Sequence, residues 1–93
     1  MANVKVRYLG SIKRITGKDG EEIAAETLGA LIDVIGRRYR DKEMQYYLAE
    51  KETTTDPSLI ITYNGQSVGR IKDYEMKLKD GDEITLMTVI SGG

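Results

Sequence analysis

Only one stretch of this chain carries a long apolar stripe of helical period, and the segments around it are short and alternating. Leu28, Leu31, Ile32, Ile35 and Tyr39 recur at helical spacing, with Asp33, Gly36, Arg37 and Arg40 on the other side. Thr27 stands just ahead as an N-cap, its hydroxyl able to accept a bond from an otherwise orphan backbone N–H. A helix with one apolar face must cover something. A length of 93 residues allows one modest core, and hence a single domain over residues 1–93. The rest of the chain has to supply a sheet small enough for one helix to cover.

The flanking segments fit that demand. Val4 to Leu9 alternates, with Val4, Val6 and Tyr8 facing one way and Lys5 and Arg7 the other, which predicts a half-buried strand. Gly10 to Gly17 places Ile12 and Ile15 three apart between glycines, which suits a short helical turn. Asp19-Gly20 reads as a turn and Glu21 to Ala25 as a short second strand. Asp41 caps a second short helix with Met44, Tyr47 and Leu48 inward. Lys51 to Asp56 is polar, aperiodic and stops before Pro57, as a loop does. Leu59 to Tyr63 is strongly β-prone, Asn64-Gly65 is a hairpin signal, and Val68 and Ile71 continue the return strand. After the tight turn Asp80-Gly81-Asp82, the last strand runs from Glu83 to Val89. Its residues Ile84 and Leu86 lie on one face, and Glu83, Thr85 and Met87 on the other. The first and last strands can pair in parallel at the sheet centre, with the main helix as the crossover. The expected fold is α+β, a ubiquitin-like β-grasp: a mixed five-stranded sheet with one main helix and short helical segments.

Composition removes most catalytic chemistry. Without His or Cys there is no thiolate nucleophile, no imidazole base and no soft ligand for zinc or an iron–sulfur cluster. No disulfide can form, which fits a reducing compartment. The N-terminus lacks a basic segment followed by an apolar run, and no stretch approaches the ~20 apolar residues that cross a bilayer. A cytoplasmic protein is expected. The net charge of −1, with both signs interleaved, argues against nucleic-acid and membrane partners. Arg37-Arg38-Tyr39-Arg40 reads as the last turn of the main helix, where cations complement the dipole, rather than as a phosphate site. Asp80 and Asp82 read as turn residues, not metal ligands, and no cofactor or metal site is expected. Tyr46-Tyr47 reads as one packed ring and one half-exposed ring, and Glu21-Glu22 as a charged strand end.

What remains is the end, Ser91-Gly92-Gly93. Two terminal glycines arise by chance about once in 200 chains, and nearer once in 100 in a glycine-rich one, so context must decide their meaning. The last strand ends only a few residues earlier. Residues 89–93 could reach roughly 16–18 Å, far enough to enter a partner's pocket. A flexible tail over about 90–93 is expected, able to pass a narrow channel because glycine has no Cβ.

The segments Asp80-Gly81-Asp82-Glu83-Ile84 and Val89-Ile90-Ser91-Gly92-Gly93 resemble the C-terminus of the small subunit of molybdopterin synthase, the MoaD/ThiS-type sulfur carriers. Strand Val4–Leu9, then Lys13-Arg14-Ile15-Thr16-Gly17, then Thr27-Leu28-Gly29-Ala30-Leu31 resemble the same family's opening strand, Arg-containing turn and Thr-capped helix. The likeness implies that a ubiquitin-activating-like enzyme uses ATP to adenylate the Gly93 carboxylate, and that a sulfur donor then replaces AMP to leave a thiocarboxylate. Gly93 and Gly92 are then the reacting end. Leu86, Met87, Val89, Ile90 and Ser91 are expected to meet the partner, the synthase large subunit, and the sulfur goes to a pterin precursor. Where many members carry aromatic and Pro residues before the tail, this chain has Leu86-Met87-Thr88. The long Lys51–Pro57 loop is similar to that of the archaeal ubiquitin-like small modifier proteins, which implies an alternative: conjugation through Gly93 to lysines of target proteins. Thiamin-type carriers share the same end but tend to lack the second helical segment.

Overall fold

The structure, a computed structural model, describes residues 1–48, 59–68 and 71–88. Strand β1 (Ala2–Tyr8) leads through the short helix α1 (Ser11–Thr16) to β2 (Gly20–Ala25). The main helix α2 (Leu28–Arg38) and the shorter α3 (Lys42–Leu48) follow. Strands β3 (Leu59–Tyr63) and β4 (Gln66–Val68), a 3-10 turn (Ile71–Glu75) and β5 (Glu83–Thr88) complete the order. The five strands form one mixed sheet in the order β2-β1-β5-β3-β4. β1 and β5 run parallel at its centre, from Lys5 opposite Glu83 to Tyr8 opposite Leu86, and the other pairs are antiparallel. This is the β-grasp arrangement expected from the sequence.

Each element forms for a local reason. The Thr27 hydroxyl accepts the Ala30 N–H at 3.1 Å, capping α2, and Leu28, Leu31, Ile32 and Ile35 bury its apolar face. Asp41 Oδ1 accepts from the N–H groups of Glu43 and Met44 and starts α3, which buries Met44 and Leu48. Asn64 and Gly65, with φ of 48° and 90°, form a two-residue hairpin loop of type I′, the form that matches strand twist. The helix side of the sheet contributes Val4, Val6, Tyr8, Ile23, Ala25, Leu59, Ile61, Ile84 and Leu86 to one core with the helices. Each aliphatic side chain fully buried there contributes roughly 1.5–3 kcal/mol.

The return strand differs from expectation. It is described over Gln66–Val68, and Ile71 opens the 3-10 turn instead of continuing β4. Backbone bonds from Leu28 N–H to Met76 O (3.0 Å) and from Leu78 N–H to Glu26 O (2.9 Å) draw this segment away from the sheet edge to the start of α2. There it packs on Gly29, where a Cβ would come within 3.0 Å of the Tyr74 carbonyl oxygen. The loop expected over Lys51–Asp56 lies outside the described residues.

Two inward carboxylates tie the layers together. Glu21 pairs with Val6 and so points to the helix side. It accepts the Tyr8 hydroxyl at 2.5 Å, the Tyr39 hydroxyl, and Arg38 Nη1 at 2.8 Å. Burial works against its charge, but the hydrogen bonds from Tyr39, Tyr8 and Arg38 outweigh that and hold the carboxyl below its usual range. Burial, and then the neighbouring Glu21, push the Tyr8 phenol upward. Asp82 is buried and accepts from the Tyr63 hydroxyl (2.7 Å), Lys79 N–H (2.8 Å) and Asn64 Nδ2 (3.2 Å). Burial again opposes its charge, and these bonds again hold it low. Asn64 Oδ1 accepts the Glu83 N–H at 2.8 Å, so the hairpin loop and the start of β5 are locked as one unit.

Candidate functional site

The parity of β5 divides its residues between two environments. Ile84 and Leu86 point into the core and are wholly buried. Glu83, Thr85 and Met87 lie on the open face of the sheet and are half-buried. That face changes character along the strand. At its start, Glu83 lies level with Lys5 and pairs loosely with Arg7 at 3.9 Å. In the middle, Thr85 stands between Arg7 and Thr62. At the end, Met87 lies directly across from Ile60, on the same face of the antiparallel pair. Leu9, next in the β1 alternation after Arg7, is 39% exposed and donates its N–H to the Leu86 carbonyl. The open face thus runs from charged to apolar toward the Thr88 end of β5.

Of the residues expected to meet a partner, Met87 is where the alternation placed it. Leu86 is not available. Its side chain has no exposed surface and sits in the core, level with Tyr8 on one side and Ile61 on the other, so its role is structural. Val89, Ile90, Ser91, Gly92 and Gly93 lie outside the described residues. Ile60 and Leu9 were not singled out from the sequence as partner-facing. The signal was available: each is a large apolar residue at an outward position of its alternating segment.

The other singled-out groups are engaged in structure. Arg37 pairs with Asp33 at 2.9 Å and Arg38 with Glu21, while Tyr39 packs edge-on to Tyr8 with ring centroids 6.1 Å apart. Arg37 and Arg40 border an open groove of about 560 Å³ between α2, α3 and the 3-10 turn, to which β5 contributes nothing. Asp80 Oδ1 accepts the Asn3 N–H at 2.8 Å, joining the last turn to β1. Among the described residues no three carboxylates gather as a metal site would require. Among them, too, no helix is long and apolar enough to cross a membrane.

The model of the ThiS family matches residues 6–93, nearly the whole chain and through its final glycines. The chain belongs to the ThiS family. No curated protein sequence matches it significantly. Among solved structures, small archaeal modifier protein 1 from Methanosarcina acetivorans is similar over 100% of this chain and 98% of its own, at 23% identity and a TM-score of 0.78. The putative molybdopterin converting factor subunit 1 from Pyrococcus furiosus is 26% identical over 97% of this chain and 100% of its own, with a TM-score of 0.72. A chain of the complex of subunits 1 and 2 of the molybdopterin-converting factor from Helicobacter pylori is 25% identical over 98% of this chain and 99% of its own, with a TM-score of 0.62. The ThiS family assignment makes this a ubiquitin-like protein of the sulfur carrier and modifier group.

Proposed function

We propose that this chain is a sulfur carrier of the molybdopterin synthase small-subunit type, working through the carboxylate of Gly93. The observation that carries the reading is the family match through Gly92-Gly93, joined to the end-to-end likeness to the Pyrococcus furiosus protein. The chemistry suits a chain without His or Cys. A carboxylate is a poor electrophile, because its charge repels a nucleophile and its leaving group is oxide. Attack of the Gly93 carboxylate on the α-phosphorus of ATP expels pyrophosphate and makes an acyl-adenylate. A sulfide-level donor then adds to the acyl carbon and displaces AMP, leaving the thiocarboxylate. That anion is a soft nucleophile that needs no side-chain catalyst on the carrier. The adenylating enzyme supplies the ATP site, and the synthase large subunit receives the tail. Met87 with Ile60 and Leu9 is the apolar surface the partner meets, since half-buried and exposed apolar residues at the Thr88 end of the sheet are the adaptable contacts such docking uses.

The test is chemical. Protein isolated from its native cells should carry an oxygen-to-sulfur mass shift on Gly93. Adding one Ala after Gly93 should abolish ATP–pyrophosphate exchange by the host's adenylating enzyme while leaving the far-UV spectrum unchanged. Undiminished exchange by the extended protein removes the terminus as the reacting group. A Gly-Gly remnant on lysines of other proteins, without the sulfur shift, replaces the carrier reading with conjugation.

A further inference from the structure

We infer that the Thr88 hydroxyl is a positioning group for the Gly92-Gly93 end, holding in one place the last described residue ahead of it; this rests on the carrier function proposed above. Thr88 is the last described residue of β5 and lies level with Leu59 on the helix side of the sheet. Helix α1 starts beside it without a cap of its own, because Gly10 at the N-cap position offers no side-chain acceptor. The missing acceptor comes from the other end of the chain: the Ser11 N–H donates to Thr88 Oγ1 at 2.9 Å. Gly10 makes this approach possible. Its φ is +62°, and a Cβ there would lie 2.6 Å from Thr88 Oγ1, 3.3 Å from Thr88 O and 3.4 Å from Thr88 N. Two residues earlier on each segment, the Leu9 N–H donates to Leu86 O at 2.9 Å. The last inward position of β5 is therefore gripped by β3 on one side and by the β1–α1 corner on the other.

A terminus that another protein must draw into a pocket binds better when its root is already held, because less freedom is lost on capture. A threonine meets this need where a valine does not. The two have the same shape, but only the hydroxyl accepts the Ser11 N–H and stops the corner from parting from the strand.

Thr88→Val, Thr88→Ser and Gly10→Ala test this in the full-length protein, with the host's adenylating enzyme as the probe. In ATP–pyrophosphate exchange, Thr88→Val should raise the KM for the carrier about fivefold with kcat unchanged, the scale of one net hydrogen bond. Thr88→Ser should restore the wild-type KM, and Gly10→Ala should behave like the valine variant. Backbone ¹⁵N relaxation on the free proteins should show lower order at the amides of Val89 and Ile90 in Thr88→Val than in wild type and Thr88→Ser. A wild-type KM together with unchanged relaxation in Thr88→Val overturns the assignment, as does a serine variant no better than the valine one. If the wild-type protein supports no exchange, the carrier reading fails instead, and the relaxation comparison alone decides the role of Thr88.

Discussion

Leu86 and Met87 are neighbours in sequence and opposites in setting, so truncating each to Ala measures the parity of β5 directly. Leu86 has no exposed surface and occupies the central strand, paired to β1 at Tyr8 and to β3 at Ile61. Losing a buried Leu side chain costs the transfer of its carbons plus the cavity left behind, about 2–5 kcal/mol, depending on how far the surroundings relax. Here relaxation is restrained. The Tyr8 hydroxyl is held by Glu21 at 2.5 Å, and the strand itself is bonded on both edges. The upper half of that range follows, about 4 kcal/mol. With a urea dependence of about 1 kcal/mol per molar for a chain this small, the unfolding midpoint of Leu86→Ala should fall by roughly 3–4 M. Met87 is half-buried on the open face, and Met87→Ala should cost under about 1 kcal/mol. Urea titration followed by far-UV circular dichroism suits a chain without Trp. Equal losses for the two variants, or the larger loss at Met87, would show β5 paired one residue out of register, and the site built on it would fall.

Two further outcomes can be measured. Met87→Glu should weaken the complex with the adenylating enzyme or the synthase large subunit at least tenfold in a calorimetric titration, with the unfolding midpoint almost unchanged; an unaltered affinity takes Met87 out of the docking surface. Glu21 and Asp82 are both held below the usual carboxylate range, so the stability they contribute is complete above the unfolded-state value near pH 4 and is lost as pH falls through their lower folded values. Midpoints measured from pH 7 downward should stay level and then drop below about pH 4. Glu21→Gln should lower the midpoint at pH 7, by about 1–3 kcal/mol of stability, and flatten the acid slope. A variant with the wild-type acid slope refutes the linkage.

The parts of the fold visible in sequence are those set by period and caps. Val4, Val6 and Tyr8, the α2 stripe behind Thr27, and the Asn64-Gly65 turn all declare themselves within a few residues, because their causes are local. What stayed hidden depends on partners distant in sequence. Ile71 has the composition of a strand residue, yet the backbone bonds of Met76 and Leu78 to the start of α2 turn its segment into a 3-10 turn. Glu21 reads as an ordinary charged strand end until Tyr8, Tyr39 and Arg38 are seen to converge on it. The family likeness puts Leu86 among the residues that meet a partner, but its own alternation turns it inward. The Thr88–Ser11 bond spans 77 residues, and no local pattern announces it.

The parallel pairing of β1 and β5 also separates the start of the first strand from the end of the last. The N-terminal end of β1 and the final residue of β5 are about eight residue steps apart along neighbouring strands, roughly 25 Å at the usual rise. In a molecule 37 Å along its longest axis, that is most of the way across. A purification handle, a fluorophore or a surface tether attached ahead of Met1, itself 94% exposed, therefore hangs from the side remote from Met87 and Thr88. The protein can be displayed on a bead or chip in the orientation that leaves the Met87 end of the sheet outermost.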